Sequence, residues 1–426
     1  MLLVNRLARQ ISKSFLAVSI LLFLGVQIAT AEGALFSSIT ELAAPVADGA
    51  REPSLSTTRD GRVLMSWTEP EGNGFAVRTA IGDASGWSAP QTVVHSNELF
   101  VNWADFPSVV ALADGTLAAH WLQINGDASY QYDVKIALSD DEGKTWGTPF
   151  IPHEDRSQRE HGFVTLLPGQ SDEFTAIWLD GRNYDTYGSQ DDVANAMQLR
   201  ARSIASYGLM TDDTLLDERT CTCCQTSAVL TDAGTILAVY RDRSPSEIRD
   251  ISIVRKNKEG WSTPTSVAVD GWHIEGCPVN GPAIDSSDGQ TVVAWFTAAD
   301  DVPKVKVAFS DDDGVSFGAP IEVDNGAPSG RVDVLQQPKG PALVTWVEQT
   351  SQGEAVLICA VDAKFGCTNP SVIVVSPTER TVGFPRMALG NDGIFIAWTQ
   401  PSGKARIHPE GGTIIRTIFA RLGDGQ

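Results

Sequence analysis

Alternating apolar and polar residues mark short β-strands along most of the chain, in runs rich in Val, Ile, Thr and aromatic residues. One unit recurs: a turn with Asp-Gly or a similar pair, a β-rich run and a closing aromatic residue. Seven copies, spaced 54, 57, 62, 55, 51 and 52 residues apart, end on Trp67, Trp121, Trp178, Tyr240, Trp295, Trp346 and Trp398. The pattern predicts an all-β protein built from a repeat of about 55 residues.

A repeat of this length holds about four strands, which is typical of a propeller blade. A single four-stranded sheet leaves a face uncovered, whereas blades packed radially around a channel bury both faces. We therefore expect a β-propeller of seven blades, with six as the alternative count. After Trp398 about one strand remains, Thr413 to Ala420, so Phe36 to Leu42 is expected to supply the missing outer strand and close the ring.

The first residues have the pattern of a signal peptide. Three basic residues precede a short apolar run from Phe15 to Val26 and a small-residue cleavage site ending at Ala31. We expect 1–31 to be cleaved and 32–426 to form one propeller domain. That domain would be secreted or periplasmic and would have no membrane span after cleavage.

The charge balance restricts the partners. The formal net charge is -21, which argues against nucleic acid, because binding phosphates requires a basic surface. It does not exclude a local basic pocket for a small anion.

Two segments share a turn motif. Ser139 to Trp146 matches S-x-D-x-G-x-T-W, and Ser310 to Phe317 matches it with conservative changes. This pattern resembles the Asp-box of the BNR repeats in the sialidase (neuraminidase) superfamily, also propellers. Asp can accept hydrogen bonds from its own turn, Gly adopts positive φ, and the aromatic residue packs between sheets. We expect a structural role for the fixed positions Ser139, Asp141, Gly143, Trp146, Ser310, Asp312, Gly314 and Phe317.

The resemblance extends to one candidate ligand-binding residue. Arg51-Glu52-Pro53 looks like the Arg-x-Pro element at the start of the first sialidase blade. It implies that Arg51 belongs to an arginine set that binds a substrate carboxylate, since a guanidinium group can bond both oxygens. Candidate partners at similar blade positions are Arg243, Arg331 and Arg386.

The catalytic pattern of that superfamily is incomplete here. Its tyrosine nucleophile lies late in the chain, whereas the last tyrosine of this sequence is Tyr240. Asp105, Asp242 and Glu247 are candidates for an acid or base. The resemblance implies an anionic small molecule or glycan bound at the channel mouth and, if the protein is an enzyme, glycoside hydrolysis of the exo-sialidase type. No cofactor is expected for this function.

The cysteines support an alternative. Cys221, Cys223 and Cys224 precede the fourth repeat, and Cys277 with His273 precedes the fifth, so the two groups should lie side by side. Two disulfides could join these blades, one version being a bond between the adjacent Cys223 and Cys224. The same residues could instead hold Cu or Zn, or the Cys221-x-x-Cys224 pair could exchange disulfides.

A second cysteine pair has a simpler interpretation. Cys359 and Cys367 flank a predicted hairpin, and we expect a disulfide between them. Three function classes therefore remain: a glycan-binding or glycoside-cleaving propeller, a metal or redox module, and a non-catalytic platform for a protein partner. The fold alone does not choose among them.

Overall fold

The structure is a computed structural model that describes residues 35–185, 188, 194–367, 370–376, 382–402 and 412–423. The expected signal peptide lies outside these residues. Within them the chain forms thirty β-strands and one turn of 3-10 helix, Ala299–Asp301.

The strands form seven antiparallel sheets, the blades, which follow one another in chain order. Blade 1 comprises β2 (Arg51–Thr57), β3 (Val63–Glu71), β4 (Gly74–Asp83), β5 (Gly86–Trp87) and β6 (Gln91–Ser96). Blade 2 comprises β7 (Ser108–Ala111), β8 (Leu117–Ile124) and β9 (Tyr132–Ser139). Blade 3 comprises β10 (His161–Pro168), β11 (Glu173–Asp180), β12 (Met197–Ala205) and β13 (Thr214–Thr220). Blade 4 comprises β14 (Ser227–Leu230), β15 (Ile236–Arg241), β16 (Ile251–Asn257), β17 (Gly260–Trp261) and β18 (Thr265–Ser266).

The remaining three blades complete the ring. Blade 5 comprises β19 (Ala283–Ser287), β20 (Gln290–Thr297), β21 (Lys304–Ser310) and β22 (Ile321–Glu322). Blade 6 comprises β23 (Pro328–Gln336), β24 (Ala342–Thr350), β25 (Gly353–Asp362), β26 (Gly366–Cys367) and β27 (Ser371–Ser376). Blade 7 comprises β28 (Arg386–Gly390), β29 (Gly393–Pro401), β30 (Thr413–Leu422) and β1 (Phe36–Leu42). The prediction of a seven-bladed propeller is confirmed.

The ring closes through its first strand. β1 pairs antiparallel with β30, from Phe36 opposite Leu422 to Leu42 opposite Thr417. This pairing confirms the expected closure, and it covers an edge of β30 that would otherwise be unpaired.

The aromatic residue that ends each repeat lies between the blades. Trp67, Trp178 and Trp346 are fully buried, and each indole N–H donates to the carboxylate two residues later on its strand. Residues i and i+2 of a strand point to one face, so this spacing places the acceptor beside the ring. The buried polar N–H is thereby satisfied without a partner from another blade.

The motif turns have the geometry that their side chains predict. Asp141 accepts hydrogen bonds from the backbone N–H and the hydroxyl of Thr145, at 2.8 and 2.7 Å. Gly143 has a φ of 83°, and its N–H donates to Ser139. The Ser310 turn repeats this arrangement around Asp312. Every one of these contacts lies within its own turn.

Three innermost strands contain a bulge near their first residues. The bulge residue has positive φ in each, and its backbone N–H donates to a side chain of the preceding blade. The pairs are Glu52 with Thr399, Phe163 with Asp105, and Arg331 with Asn280. These cross-blade bonds hold the start of the inner strands, and with them the channel mouth.

In the described ranges, no helix has the length and apolar character needed to cross a bilayer.

Candidate functional site

A cavity of about 620 Å³ runs along the propeller axis and is lined by the innermost strand of every blade. Its ionisable wall residues are Asp105, Asp285, Asp333 and Arg386. The inner strands all begin at one end of this channel, which we call the mouth. Of the side chains expected from the sequence, Asp105 and Arg386 line this cavity.

Residues 102–106, here called the mouth segment, extend from blade 2 across the channel. The carbonyl of Ala104 accepts a hydrogen bond from Gln225 of blade 4, at 2.7 Å. Trp103 packs against Phe384, which precedes blade 7, with 5.8 Å between ring centroids. The segment thus contacts blades on the far side of the ring and narrows the opening.

Two arginines meet this segment. The Arg331 guanidinium carbon lies 5.3 Å from the Trp103 ring centroid, and that of Arg386 lies 4.6 Å from the Phe106 centroid. Both guanidinium groups also lie about 6 Å from the Phe384 centroid. The Trp103 side chain remains 53% exposed in this cluster. The Trp103 ring therefore faces solvent at the mouth, while the Arg331 and Arg386 side chains beneath it are only 12% and 20% exposed.

Each of these arginines has an acidic neighbour. Arg331 donates to the Val382 carbonyl and lies 3.5 Å from Glu354, while Arg386 lies 3.7 Å from Asp333. The carboxylates hold the guanidinium groups against the aromatic rings. The Arg386 pair is separated by more than a hydrogen-bond distance, so its N–H donors keep the capacity to bind an anion.

Asp105 is a buried acid in the channel wall. Its Oδ2 accepts the Phe163 N–H at 2.7 Å, and burial raises the pKa of Asp105 to about 7. Burial also raises the pKa of Glu160 to about 8, although the Tyr132 hydroxyl donates to this carboxyl group at 2.7 Å. Glu52 has a raised pKa for the same reason. Asp105 and Glu160 are therefore protonated in a substantial fraction of molecules near neutral pH.

Glu52, Glu160 and Tyr132 were not identified from the sequence. A signal existed, because an acidic residue lies near the start of three successive inner strands, at Glu52, Asp105 and Glu160. The alternation of apolar and polar residues did not distinguish these positions from acidic residues in solvent-exposed loops.

The other candidate acids and Arg243 lie around a different centre. Glu247 is in contact with three arginines, at 2.6 Å from Arg243, 2.8 Å from Arg249 and 3.5 Å from Arg219. Burial alone would favour the neutral acid, but hydrogen bonds from Arg243 and Arg249 outweigh it and lower the pKa of Glu247. Arg243 is 1% exposed. This arrangement has the character of a buried ion cluster.

Asp242 and Arg51 complete the expected set. Burial raises the pKa of Asp242 to about 6. The guanidinium carbon of Arg51 lies 5.8 Å from the Phe75 ring centroid, and its Nε donates to the Gly49 carbonyl. Of the four expected arginines, Arg331 and Arg386 are the two that share contacts with the mouth segment.

The cysteines correct one expectation. Cys223 and Cys277 form a disulfide that links the starts of blades 4 and 5. A disulfide between blades 4 and 5 was one of the two expected arrangements, and in this disulfide the Cys223 and Cys277 sulfurs are not available as the thiolate ligands of the metal-binding alternative. His273 is exposed and does not join the described group of Cys221, Cys223 and Cys224 sulfurs that lie within 4.8 Å of one another.

Two thiols remain beneath this disulfide. The Cys221 and Cys224 sulfurs are buried and 2.6 Å apart, and Arg249 donates to the Cys221 sulfur at 3.6 Å. Burial opposes ionisation, but the Cys224 hydrogen bond and the Arg249 charge lower the pKa of Cys221 to about 6. The pKa of Cys224 is raised, first of all by burial. Cys359 and Cys367 form the predicted disulfide.

Comparison with known proteins identifies the fold. No family model and no curated protein sequence matches the chain. A solved protein of unknown function from Dyadobacter fermentans aligns over 91% of this chain and 99% of its own, with 12% identity and a TM-score of 0.52. The polysaccharide lyase Uly1 aligns over 92% of this chain and 94% of its own, with 9% identity and a TM-score of 0.52.

A sialidase is also among the similar structures. The NanB sialidase from Streptococcus pneumoniae aligns over 91% of this chain and 71% of its own, with 13% identity and a TM-score of 0.46. Of these two enzymes, only the polysaccharide lyase aligns with a TM-score above 0.5. At these identities the likeness is one of fold.

Proposed function

We propose that the protein is a secreted propeller that binds an anionic glycan at the channel mouth. The observation that carries this proposal is the exposed Trp103 ring in contact with Arg331 and Phe384. An aromatic face can stack on the apolar face of a sugar ring, and a guanidinium group can bond a carboxylate or sulfate through two N–H groups. The pairing of the two favours an acidic saccharide over a neutral one.

The net charge of -21 supports a local rather than a global attraction. An acidic surface repels polyanions at long range, whereas Arg331 and Arg386 can still bind a short acidic oligosaccharide in contact with them. Secretion is part of the proposal, and two disulfides among the described residues support it.

Glycoside cleavage of the exo-sialidase type is the catalytic form of this proposal, with Asp105 as the proton donor. A carboxyl group with a pKa of about 7 can protonate a leaving-group oxygen at neutral pH. Tyr132 is not a suitable nucleophile, because burial and the neighbouring Glu160 raise its pKa well above the ordinary value and keep its hydroxyl neutral. Binding is therefore the part of the function that the geometry supports best.

The test is calorimetric titration with a sialylated oligosaccharide, a uronic-acid oligosaccharide and a neutral oligosaccharide of equal length. We expect one acidic ligand to bind and Trp103→Ala, Arg331→Gln and Arg386→Gln each to weaken it by about 10-fold or more. The matched control is Tyr207→Ala, since Tyr207 is a 78% exposed aromatic residue in the turn after β12. Equal affinity for the neutral ligand, or a loss with Tyr207→Ala alone, would contradict the proposal.

Release of a fluorogenic aglycone from a sialoside is the assay for the catalytic form. Turnover that disappears in Asp105→Asn would support Asp105 as the acid. Binding without turnover would leave a glycan-binding propeller. If the protein shows neither binding nor turnover, the result would favour a platform for a protein partner.

Disulfide exchange is a second candidate function, favoured by the Cys221 and Cys224 pair. The Cys221 thiolate lies 3.9 Å from the Cys223 sulfur. Its attack on that sulfur would form a Cys221–Cys223 bond and release Cys277 as a thiolate. Attack by Cys224 on Cys221 would then release Cys223, so that one disulfide is formed for each one broken.

A copper or zinc site is a further proposal, with Cys221 and Cys224 as its cysteine ligands. Two thiols are fewer than the three or four protein ligands of ordinary zinc sites. Metal analysis of Cys221→Ser, compared with wild type, tests it. An unchanged metal content would exclude this site.

A further inference from the structure

Two buried histidines stack between blades 2 and 3. The imidazole rings of His153 and His161 are nearly parallel, with centroids 3.9 Å apart and an interplanar angle of 4°. Both side chains have no exposed surface. His161 is the first residue of β10, and His153 lies in the connection from β9.

The tautomer of each ring follows from its backbone contact. His153 Nδ1 lies 2.7 Å from the Asp155 carbonyl, and His161 Nδ1 lies 3.2 Å from the Arg159 carbonyl. A carbonyl oxygen only accepts, so each Nδ1 carries a proton, and Nε2 is the ring atom that is left for another partner. Proteins orient metal-binding histidines in the same way, because the ring nitrogen that does not bind the metal donates its N–H to a backbone carbonyl.

Both Nε2 atoms face carboxylates and make no hydrogen bond. His153 Nε2 lies 3.7 Å from Asp133, and His161 Nε2 lies 3.1 Å from Asp155 and 3.7 Å from Asp180. A buried nitrogen atom that makes no hydrogen bond is unfavourable, and a cation bound between these nitrogens and the carboxylates would satisfy both.

The carboxylates differ in what already balances their charge. Asp180 is bonded by Arg182 through both oxygens and by the Trp178 indole, and it is therefore neutralised within blade 3. Asp133 is bonded by the neutral Asn125 amide, and the Lys135 amine is 3.9 Å away. Asp155 is bonded by Ser157, which is also neutral. Asp133 and Asp155 retain the capacity to bind a cation.

We propose that this cluster is a structural site for a divalent transition metal, of which zinc is the best match. His153 and His161 would bind it through Nε2, together with the Asp133 and Asp155 carboxylates. The ligand atoms of Asp133, His153 and His161 lie within 4.8 Å of one another, as do those of Asp155, His161 and Asp180. Two imidazoles and two carboxylates are a ligand set that zinc accepts.

The position of the cluster gives it a structural purpose. Blade 2 has three strands, and its outer edge is completed by a single bridge between Ile136 and Phe150. A metal at this place would join β9, the connection that carries His153 and Asp155, and β10. It would stabilise the outer edge of a blade that has no fourth strand among the described residues.

The test is elemental analysis of the mature protein after expression with zinc and dialysis against metal-free buffer. We expect about one zinc per chain and, after removal with a chelator, rebinding of Zn²⁺ or Co²⁺ with a visible Co²⁺ absorption spectrum. His153→Gln and the isosteric Asp133→Asn should weaken Zn²⁺ binding by more than about 100-fold. Removing a residue that only hydrogen-bonds a ligand costs about 10- to 100-fold in metal affinity, and removing the ligand itself should cost more.

His120→Gln is the matched control. His120 is also fully buried with a Nε2 atom that makes no hydrogen bond, but its Nδ1 contacts Ser108 and it belongs to neither ligand group. This variant should keep its zinc. The proposal is overturned if wild type retains no metal and takes up neither Zn²⁺ nor Co²⁺, or if the ligand variants bind as tightly as wild type.

Discussion

The guanidinium group of Arg386 stacks on the ring of Phe106, with its central carbon 4.6 Å from the ring centroid. The two residues belong to blades that do not adjoin, because blade 1 lies between blade 7 and blade 2. Their contact therefore exists only because the ring closes and the mouth segment extends over the channel. It connects a charged group of the proposed ligand site to the wall of the cavity below.

The first prediction concerns the geometry of Arg386. Arg386→Lys keeps the positive charge but removes the planar group that stacks on Phe106 and can bond two oxygens. We expect about 10-fold weaker binding of the acidic oligosaccharide, measured by calorimetry. Arg59→Lys is the control, because Arg59 is exposed and bonds the Ala113 carbonyl away from the mouth. An unchanged affinity in Arg386→Lys would show that Arg386 contributes only its positive charge to binding.

The second prediction concerns pH and Asp105. Burial raises the pKa of this acid to about 7 in the folded protein, so the folded state binds a proton that the unfolded state releases. The contribution of Asp105 to stability is full below about pH 4 and is lost as the pH rises to about 7. Asp105→Asn keeps an acceptor for the Phe163 N–H and removes this dependence.

Chemical denaturation between pH 4 and 8 measures the effect. We expect the stability of Asp105→Asn relative to wild type to increase with pH over this range. A difference that does not change with pH would show that Asp105 has an ordinary pKa.

The third prediction concerns ring closure. Phe36 on β1 is 5% exposed and packs in a hydrophobic cluster with residues of blades 6 and 7. Phe36→Ala should lower the free energy of unfolding by about 3 kcal/mol. Ile39 lies on the same strand but is 41% exposed, and Ile39→Ala should cost less than about 0.5 kcal/mol. Similar losses in both variants would mean that β1 contributes through its backbone pairing alone.

The fourth prediction concerns the buried thiols. Diamide treatment should remove two hydrogen atoms from the wild-type protein by forming a Cys221–Cys224 disulfide, since the sulfurs are 2.6 Å apart. The thiolate is the attacking species, so the reaction should slow as the pH falls below about 6, the pKa of Cys221. Intact mass after acid quench measures it. Cys221→Ser and Cys224→Ser should show no loss, and oxidation that persists in either variant would identify another pair.

Much of the architecture could be predicted because it repeats. The spacing of Trp67, Trp121 and their equivalents reports the blade length directly, and burial between blades favours a large aromatic residue each time. The shortness of the chain after Trp398 likewise predicts the pairing of β1 with β30. The disulfide between Cys359 and Cys367 follows from a short separation within one hairpin.

The site could be predicted only in part. Arg331 and Arg386 were predicted from their blade positions, but so was Arg243, which instead joins the ion cluster around Glu247. The choice of Cys223 with Cys277, rather than any other pairing, also depended on which side chains the loops direct toward each other. Equivalent positions in a repeat have similar backbones, whereas their side-chain partners are not equivalent.

The sequence by itself determined the strands, the blade count and the order of blades around the ring, because local alternation and a fixed repeat length encode them. Only the tertiary structure decided that Trp103 of blade 2 meets Arg331 of blade 6, and that His153 stacks on His161 with its Nε2 atom facing a carboxylate. The physical reason is closure. Residues far apart in the chain become neighbours when the ring closes and loops fold over it, and their contacts have no periodic signal in the sequence.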